Sequence, residues 1–299
     1  MSALVESNLP ALTLLARGKV RDVYRIDDKS LLFVATDRIS AFDVVMNNGI
    51  PGKGKILNQI SLFWFDLLKE VVPCHLITAE IDEMPEVVRQ YRDQLEGRSM
   101  LVRSLNMLPI ESIVRGYVAG SGWKEYQQSN TICGIALPAG LTESARLPQA
   151  LFTPSTKAEL GTHDENIHPD KAAEMIGKDL ADRMAATALE LYTKASEYAL
   201  TRGIIIADTK FEFGIHPETN ALILGDEVLT PDSSRFWPKD KYATGRAQDS
   251  YDKQYVRDYL ESIKFNKKDP VTLPEDVVQN TLAKYQEVFT ILTGRKAAL

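Results

Sequence analysis

The chain has 299 residues, 44% hydrophobic and 25% charged, which suits a globular protein with a sizeable core in one large or two medium domains. A formal net charge of −6 provides no basic footprint for nucleic acid, so an anionic small molecule would have to be gathered by local Lys and Arg. Two distant cysteines, Cys74 and Cys133, exclude a disulfide scaffold and a CxxC zinc site. With no signal-peptide pattern and no run long and apolar enough to cross a bilayer, the expectation is a cytoplasmic protein.

Gly18–Ile26 alternates polar and apolar residues, turns at Asp27–Ser30 and returns as Leu31–Ala35, a hairpin signal. A glycine-led hairpin of this kind can close over nucleotide phosphates, and it can equally be an ordinary hairpin. Thr36-Asp-Arg-Ile-Ser-Ala-Phe-Asp43 crowds polar groups after a strand, as binding loops and self-bonded turns both do. Gly49-Ile-Pro-Gly-Lys-Gly-Lys55 matches GxxxxGK, but Ile56 stands where a phosphate loop needs Ser or Thr. It reads as a glycine-rich loop carrying Lys53 and Lys55 toward an anion, or as a plain turn before a helix over 58–70.

Strands are expected at 100–103 and 110–114, with a connector around 104–112 dividing the chain into a β-rich domain, 1–108, and a larger domain, 109–299. Arg115-Gly-Tyr-Val-Ala-Gly-Ser-Gly122 leads into a helix from Trp123. Its glycines, Ser121 and Arg115 suit a phosphate monoester, or form a simple strand-to-helix turn. The polar stretch 152–166 is a functional or mobile loop. His163, Asp164, Glu165 and His168 within or beside it lack the further ligands a metal site needs. Residues 169–202 read as one long helix ended by Gly203, and two more helices are expected at 250–263 and 274–293.

The most informative stretch is Ile206-Ala-Asp-Thr-Lys-Phe-Glu-Phe-Gly214. Strand alternation puts Asp208, Lys210 and Glu212 on one face and Ala207, Thr209, Phe211 and Phe213 on the other. The turn His216–Asn220 and the run Ala221–Leu224 bring Asp226 back toward Glu212. Two carboxylates around an ammonium can hold Mg²⁺ on nucleotide phosphates, or form a solvated ion-paired face. Pro231-Asp-Ser-Ser-Arg235 returns Arg235 to the same place.

Taken together, Met107–Ser121, Ile206–Gly214, the Gly18 hairpin, Ser-Ala-Phe-Asp43, Pro51-Gly-Lys-Gly, Gly-Asp-Glu227, Pro-Asp-Ser-Ser-Arg235 and the tail Gln248–Asp258 resemble the SAICAR synthetase family of purine biosynthesis, in its longer, fungal-like form, across essentially the whole chain. The resemblance implies an α+β or α/β two-domain fold with an inter-domain ATP cleft and an N-terminal antiparallel sheet domain distantly like that of protein kinases. It implies ATP-driven condensation of carboxyaminoimidazole ribonucleotide (CAIR) with L-aspartate through an acyl phosphate, with Mg²⁺, in a protein that is a monomer. Lys210 and Asp208 would be catalytic. Gly18, Lys19, Val20, Arg21, Arg103, Leu105 and Glu111 would meet ATP. Ser40, Asp43, Lys53, Arg115, Ser121 and Arg235 would meet CAIR, Ser155, Thr156 and Lys157 would meet aspartate, and Glu212 and Asp226 would meet the metal. Two rivals stand beside this reading. A kinase-like phosphotransferase would need the base of a His-Arg-Asp loop, which is missing. A nucleotide sensor would be expected to lose part of the Lys210, Glu212 and Asp226 set.

Overall fold

Two antiparallel sheets organise the molecule; the computed structural model describes residues 2–157, 165–251 and 253–299. The first is a five-stranded roof in the order Thr13–Arg17, Arg21–Arg25, Ser30–Ala35, Ser99–Arg103 and Leu76–Thr78. Its middle strand shows the period-2 logic: Leu32 and Val34 enter a small core with Tyr24, Met84 and Leu101, while Leu31 and Phe33 look down into a cleft. Thr13–Arg17 is exposed along its whole length. A strand with no buried face carries no alternation, which is why sequence reading passes over it.

The floor is a six-stranded sheet built on two long central strands, Asn106–Tyr117 and Ile204–Ile215. Arg146–Phe152 and Ser155–Thr156 flank the first, and Leu222–Gly225 and Ser234–Pro238 flank the second. Every pairing in both sheets is antiparallel, so the architecture is α+β rather than the parallel α/β alternative. The chain passes from the last roof strand to the first floor strand through Ser104 and Leu105 alone; Asn106–Pro109, expected in a connector, already belong to the floor.

The central floor strand alternates over most of its length. Phe211 and Phe213 face the core with Trp64, Met184, Leu191, Tyr285 and Phe289 from three helices, Lys53–Leu68, Lys178–Thr201 and Glu275–Thr293. Burying each of these rings contributes about 2–3 kcal/mol. A bulge between Ile206 and Asp208 interrupts the alternation. Ala207, expected to share a face with Phe211, packs instead with Ala119, Ile205 and Trp237, because one extra residue inverts side-chain direction on one side of the bulge.

Three helix expectations are corrected. The helix expected at 58–70 begins at Lys53, so the lysine-bearing loop is its first turn. Gly54 is needed there, since a Cβ would stand 2.2 Å from the Ala35 carbonyl oxygen. The helix expected over 169–202 is two, Pro169–Ile176 and Lys178–Thr201, broken at Gly177 with φ 87° and ψ 142°. The helix expected at 250–263 is Gln254–Ser262. The C-terminal stripe does bury Val277, Val278, Thr281, Tyr285, Val288, Phe289 and Leu292. Among the described residues no helix is long and apolar enough to cross a membrane.

Candidate active site

Strand register assembles the site. In the central pair Glu212 stands opposite Glu111, Lys210 opposite Ile113 and Asp208 opposite Arg115. Two carboxylates directly across a ladder repel, and Lys210 answers both: its Nζ donates to Glu111 Oε1 at 2.6 Å and to Glu212 Oε1 at 2.9 Å. Burial pulls the Lys210 ammonium down, but Glu212, Glu111 and Asp226 outweigh it and hold its pKa above the ordinary lysine range. Lys157 donates to the other Glu212 oxygen.

Asp226 follows the strand that pairs Gly225 with Glu212, and its φ of 59° turns it out of the strand. Arg21 reaches down from the roof and grips it with both guanidinium arms, at 2.7 and 3.0 Å. Burial would raise the Asp226 pKa, yet Arg21 and Lys210 bring it down to about 2, so the carboxylate is charged. Arg21 also lies 3.6 Å from Glu227 and covers the face of Phe33.

These groups line one cavity of about 510 Å³ between roof and floor. It brings together Gly18, Lys19, Val20, Arg21, Ser40, Arg103, Leu105, Glu111, Lys157, Lys210, Glu212 and Asp226 from the expected set. It adds His75, Glu227, Asp232, Ser233 and Lys253, which sequence reading did not single out as ligand-facing. Arg103 Nη1 donates to the Cys74 and Leu76 carbonyls at 3.4 and 3.2 Å, and the His75 main chain links Leu224 of the floor to Arg103 of the roof. Burial lowers the His75 pKa to about 4, and its Nε2 has no hydrogen-bond partner among the described residues.

A second cluster lies one pleat away, about 7 Å along the strand from Lys210. Arg115 Nη1 is 3.0 Å from Asp208 Oδ2, its Nη2 donates to Ser121 Oγ at 3.1 Å and its Nε to Thr153 Oγ1 at 3.1 Å. Arg235 meets the same Asp208 oxygen. Gly120, with φ 56°, makes room for Arg235, since a Cβ would stand 2.3 Å from its Nη2. Ser121 lies in the first turn of the helix Gly120–Ser129, which starts before the expected Trp123.

Other expected residues lie outside the lining of that cavity. Lys53, expected to meet a ligand directly, has a fully buried side chain with Nζ 2.7 Å from Asp232. Asp208, expected among the catalytic groups, is 4% exposed and held by two guanidiniums. Asp43 meets Lys19 at the cleft rim. Ser155 is buried opposite Glu111, and Thr156 pairs with Ile110. Asp37 and Arg38 of the polar loop serve structure: Asp37 accepts from Gly54 N and Arg98, and Arg38 pairs with Asp22. His168 caps a helix by accepting from Asp170 N, while His163 and Asp164 lie outside the described residues.

For a metal, the described residues offer no group of three or more His, Cys, Asp or Glu side chains. Two acidic residues, Glu212 and Asp226, face the cavity near one another. That donor set fits Mg²⁺, which is commonly held by one or two carboxylates while phosphates and water fill its other positions.

A roof with a glycine-led hairpin, a carboxylate–ammonium floor and an arginine cluster beside it define the class, a nucleotide-using ligase, once the chain's likenesses are set beside them. The SAICAR synthetase family model matches residues 14–273. A phosphoribosylaminoimidazole-succinocarboxamide synthase from Maridesulfovibrio salexigens is 57% identical over 291 residues, 97% of each chain. The solved SAICAR synthase from Saccharomyces cerevisiae complexed with SAICAR superposes with a TM-score of 0.92 at 50% identity, covering 99% of this chain and 100% of that one. A SAICAR synthetase in complex with ADP superposes with a TM-score of 0.70 at 27% identity, covering 95% of this chain and 99% of that one. The chain belongs to the SAICAR synthetase family.

Proposed function

We propose that this protein uses ATP to join CAIR to L-aspartate, giving SAICAR, ADP and phosphate. The observation that carries the reading is Lys210, held between Glu111 and Glu212 with the Arg21–Asp226 pair over it and the Arg115–Asp208–Arg235 cluster beside it. A carboxylate is a poor acyl donor because an oxide would have to leave. Moving the γ-phosphoryl group onto the CAIR carboxylate makes an acyl phosphate, and the aspartate amine then displaces phosphate from its carbonyl.

Lys210 follows the charge as it passes from the nucleotide to the carboxylate. Gly18, Lys19, Val20 and Arg21 cover the phosphates, Arg103 and Leu105 bound the base, and Glu111 orients Lys210. Arg115, Ser121 and Arg235 grip the ribonucleotide 5′-phosphate, with Asp208 holding both guanidiniums in place. Ser40 and Asp43 face its sugar and ring. Ser155, Thr156 and Lys157 border the aspartate site. Mg²⁺ held by Glu212 and Asp226 would neutralise phosphate charge during transfer. The protein works as a monomer in the cytoplasm.

The test is ADP release with ATP, CAIR and L-aspartate, omitting each in turn. A requirement for all three supports the ligase. ADP without aspartate points to a phosphotransferase or to uncoupled activation of the carboxylate.

A further inference from the structure

The polar loop after the roof strand Ser30–Ala35 ends in a strained hairpin. Ser40–Ala41 and Val44–Val45 pair as two-residue strands, so the turn between them is Phe42 and Asp43 alone. Both turn residues have positive φ, 52° and 64°. Two-residue hairpin turns of that kind favour Asn-Gly, because most side chains at positive φ crowd their own backbone. A phenylalanine is poorly suited to the first place, and such a conformation persists where its surroundings over-determine it. Asp43 pairs with Lys19 of the glycine-led roof turn, and Lys19 and Ser40 both line the cleft.

The constraint comes from the far end of the chain. Residues 264–273 run from the helix Gln254–Ser262 toward the helix Glu275–Thr293 and lie along the hairpin. The Lys267 ammonium stands 4.8 Å over the Phe42 ring, and the Phe265 ring lies 6.5 Å from it at 37°. Just past the hairpin, Asn47 N donates to the Val271 carbonyl at 3.0 Å. Asn48 Oδ1 accepts from Leu273 N at 2.7 Å, and its Nδ2 donates to the Leu273 carbonyl at 3.0 Å. The segment also braces itself: Asn266 Oδ1 accepts from the amides of Lys268 and Asp269 at 2.9 and 3.1 Å. A segment with its own internal bonds and a helix at either end can impose a shape on the turn it covers. We propose that residues 264–273 form a strap that holds Phe42 at positive φ, and that Phe265 and Lys267 are positioning residues which, through Phe42, set Ser40 and Asp43 for the ribonucleotide. The effect on CAIR rests on the ligase reading above.

The test is the Phe265→Ala, Lys267→Ala double variant, followed by hydrogen exchange of the 40–45 amides, melting temperature and steady-state kinetics with each substrate varied in turn. Without substrate, those amides exchange about fivefold faster or more. The KM for CAIR rises about fivefold, the size of a lost cation–π and ring contact, while kcat and the KM for aspartate stay within about twofold. Adding Phe42→Asn, a residue that takes positive φ readily, returns the CAIR KM toward the wild-type value although the strap contacts stay lost. Unchanged exchange at 40–45 overturns the strap. Faster exchange with an unchanged CAIR KM overturns the positioning role, as does an equal rise in all three KM values. A CAIR KM that Phe42→Asn leaves raised overturns the strain account. If the double variant does not fold, Lys267→Ala and Lys267→Arg decide: a rise of about threefold in the first and a near wild-type CAIR KM in the second support the strap, and the same CAIR KM in both overturns it. A wild-type protein whose ADP release never needs CAIR defeats the ligase reading, and the exchange measurements then judge the strap by themselves.

Discussion

Glu111 and Glu212 face one another across a ladder that would be unfavourable without the ammonium between them. On the proposed mechanism, removing that ammonium would do two things: take charge stabilisation from the transferring phosphoryl group and leave two carboxylates opposed. Lys210→Ala is expected to lose turnover by about a hundredfold or more, while ADP affinity, measured by titration calorimetry, falls only modestly. Cys133 offers a residue-scale test of burial. Its thiol is pushed up to about 11 by desolvation, against an ordinary 9. The folded protein keeps that proton after the unfolded chain has released it, so stability is intact below pH 9 and lost as pH climbs from 9 to 11. The loss approaches about 3 kcal/mol. Urea midpoints across that range should fall more steeply in the wild type than in Cys133→Ala.

At the scale of elements, a glycine and a tyrosine hold the Asn106–Tyr117 strand against the helix Lys178–Thr201. A Cβ on Gly116 would stand 1.9 Å from the Tyr192 hydroxyl, which donates to the Ile206 carbonyl at the floor bulge. Gly116→Ala is expected to cost about 1–3 kcal/mol, read by urea unfolding, with partial recovery in the Gly116→Ala, Tyr192→Phe double variant. Arg115 is the next residue along, so the single variant should also raise the KM for the ribonucleotide; Arg115→Ala should raise that constant further and leave the KM for ATP near its wild-type value. The central strand and the C-terminal stripe are legible because each writes its burial into a local period, and the His216–Asn220 turn because its exposed Pro, Thr and Asn residues favour a turn. What stayed hidden lacks such a trace. Thr13–Arg17 has no buried face. The Gly177 break lies inside a helical period that runs across it. The bulge beside Asp208 shows only when the partner strand is present. Asp232, Lys253 and Tyr285 are distant in sequence and become one group only through the packing of the C-terminal helix. Lys53 looked like a ligand because a lysine among glycines resembles a phosphate loop; its helix turns it inward to Asp232 instead.

Across the whole molecule, roof and floor meet at the Arg21–Asp226 pair, the Lys29–Glu218 pair and the main chain of His75. A nucleotide bound between them touches both sheets, so it should stabilise the protein as a unit. Saturating ADP with Mg²⁺, at about a hundred times its dissociation constant, is expected to add roughly 2.7 kcal/mol. Arg21→Ala cuts the link from above. It should raise the KM for ATP about tenfold or more and shrink the melting shift produced by a fixed, subsaturating ADP concentration, which differential scanning fluorimetry would read directly.

The ion pairs of the site have a consequence for how the protein comes into being. Arg21, Lys210, Arg115 and Arg235 each already grip a carboxylate of the chain itself. If these residues meet substrate as proposed, substrates would arrive by partner exchange, and the charges of the site would not depend on cargo for their company during synthesis. A newly made chain would then be able to reach its mature shape, and wait in it, through periods when the cell has no precursor to offer.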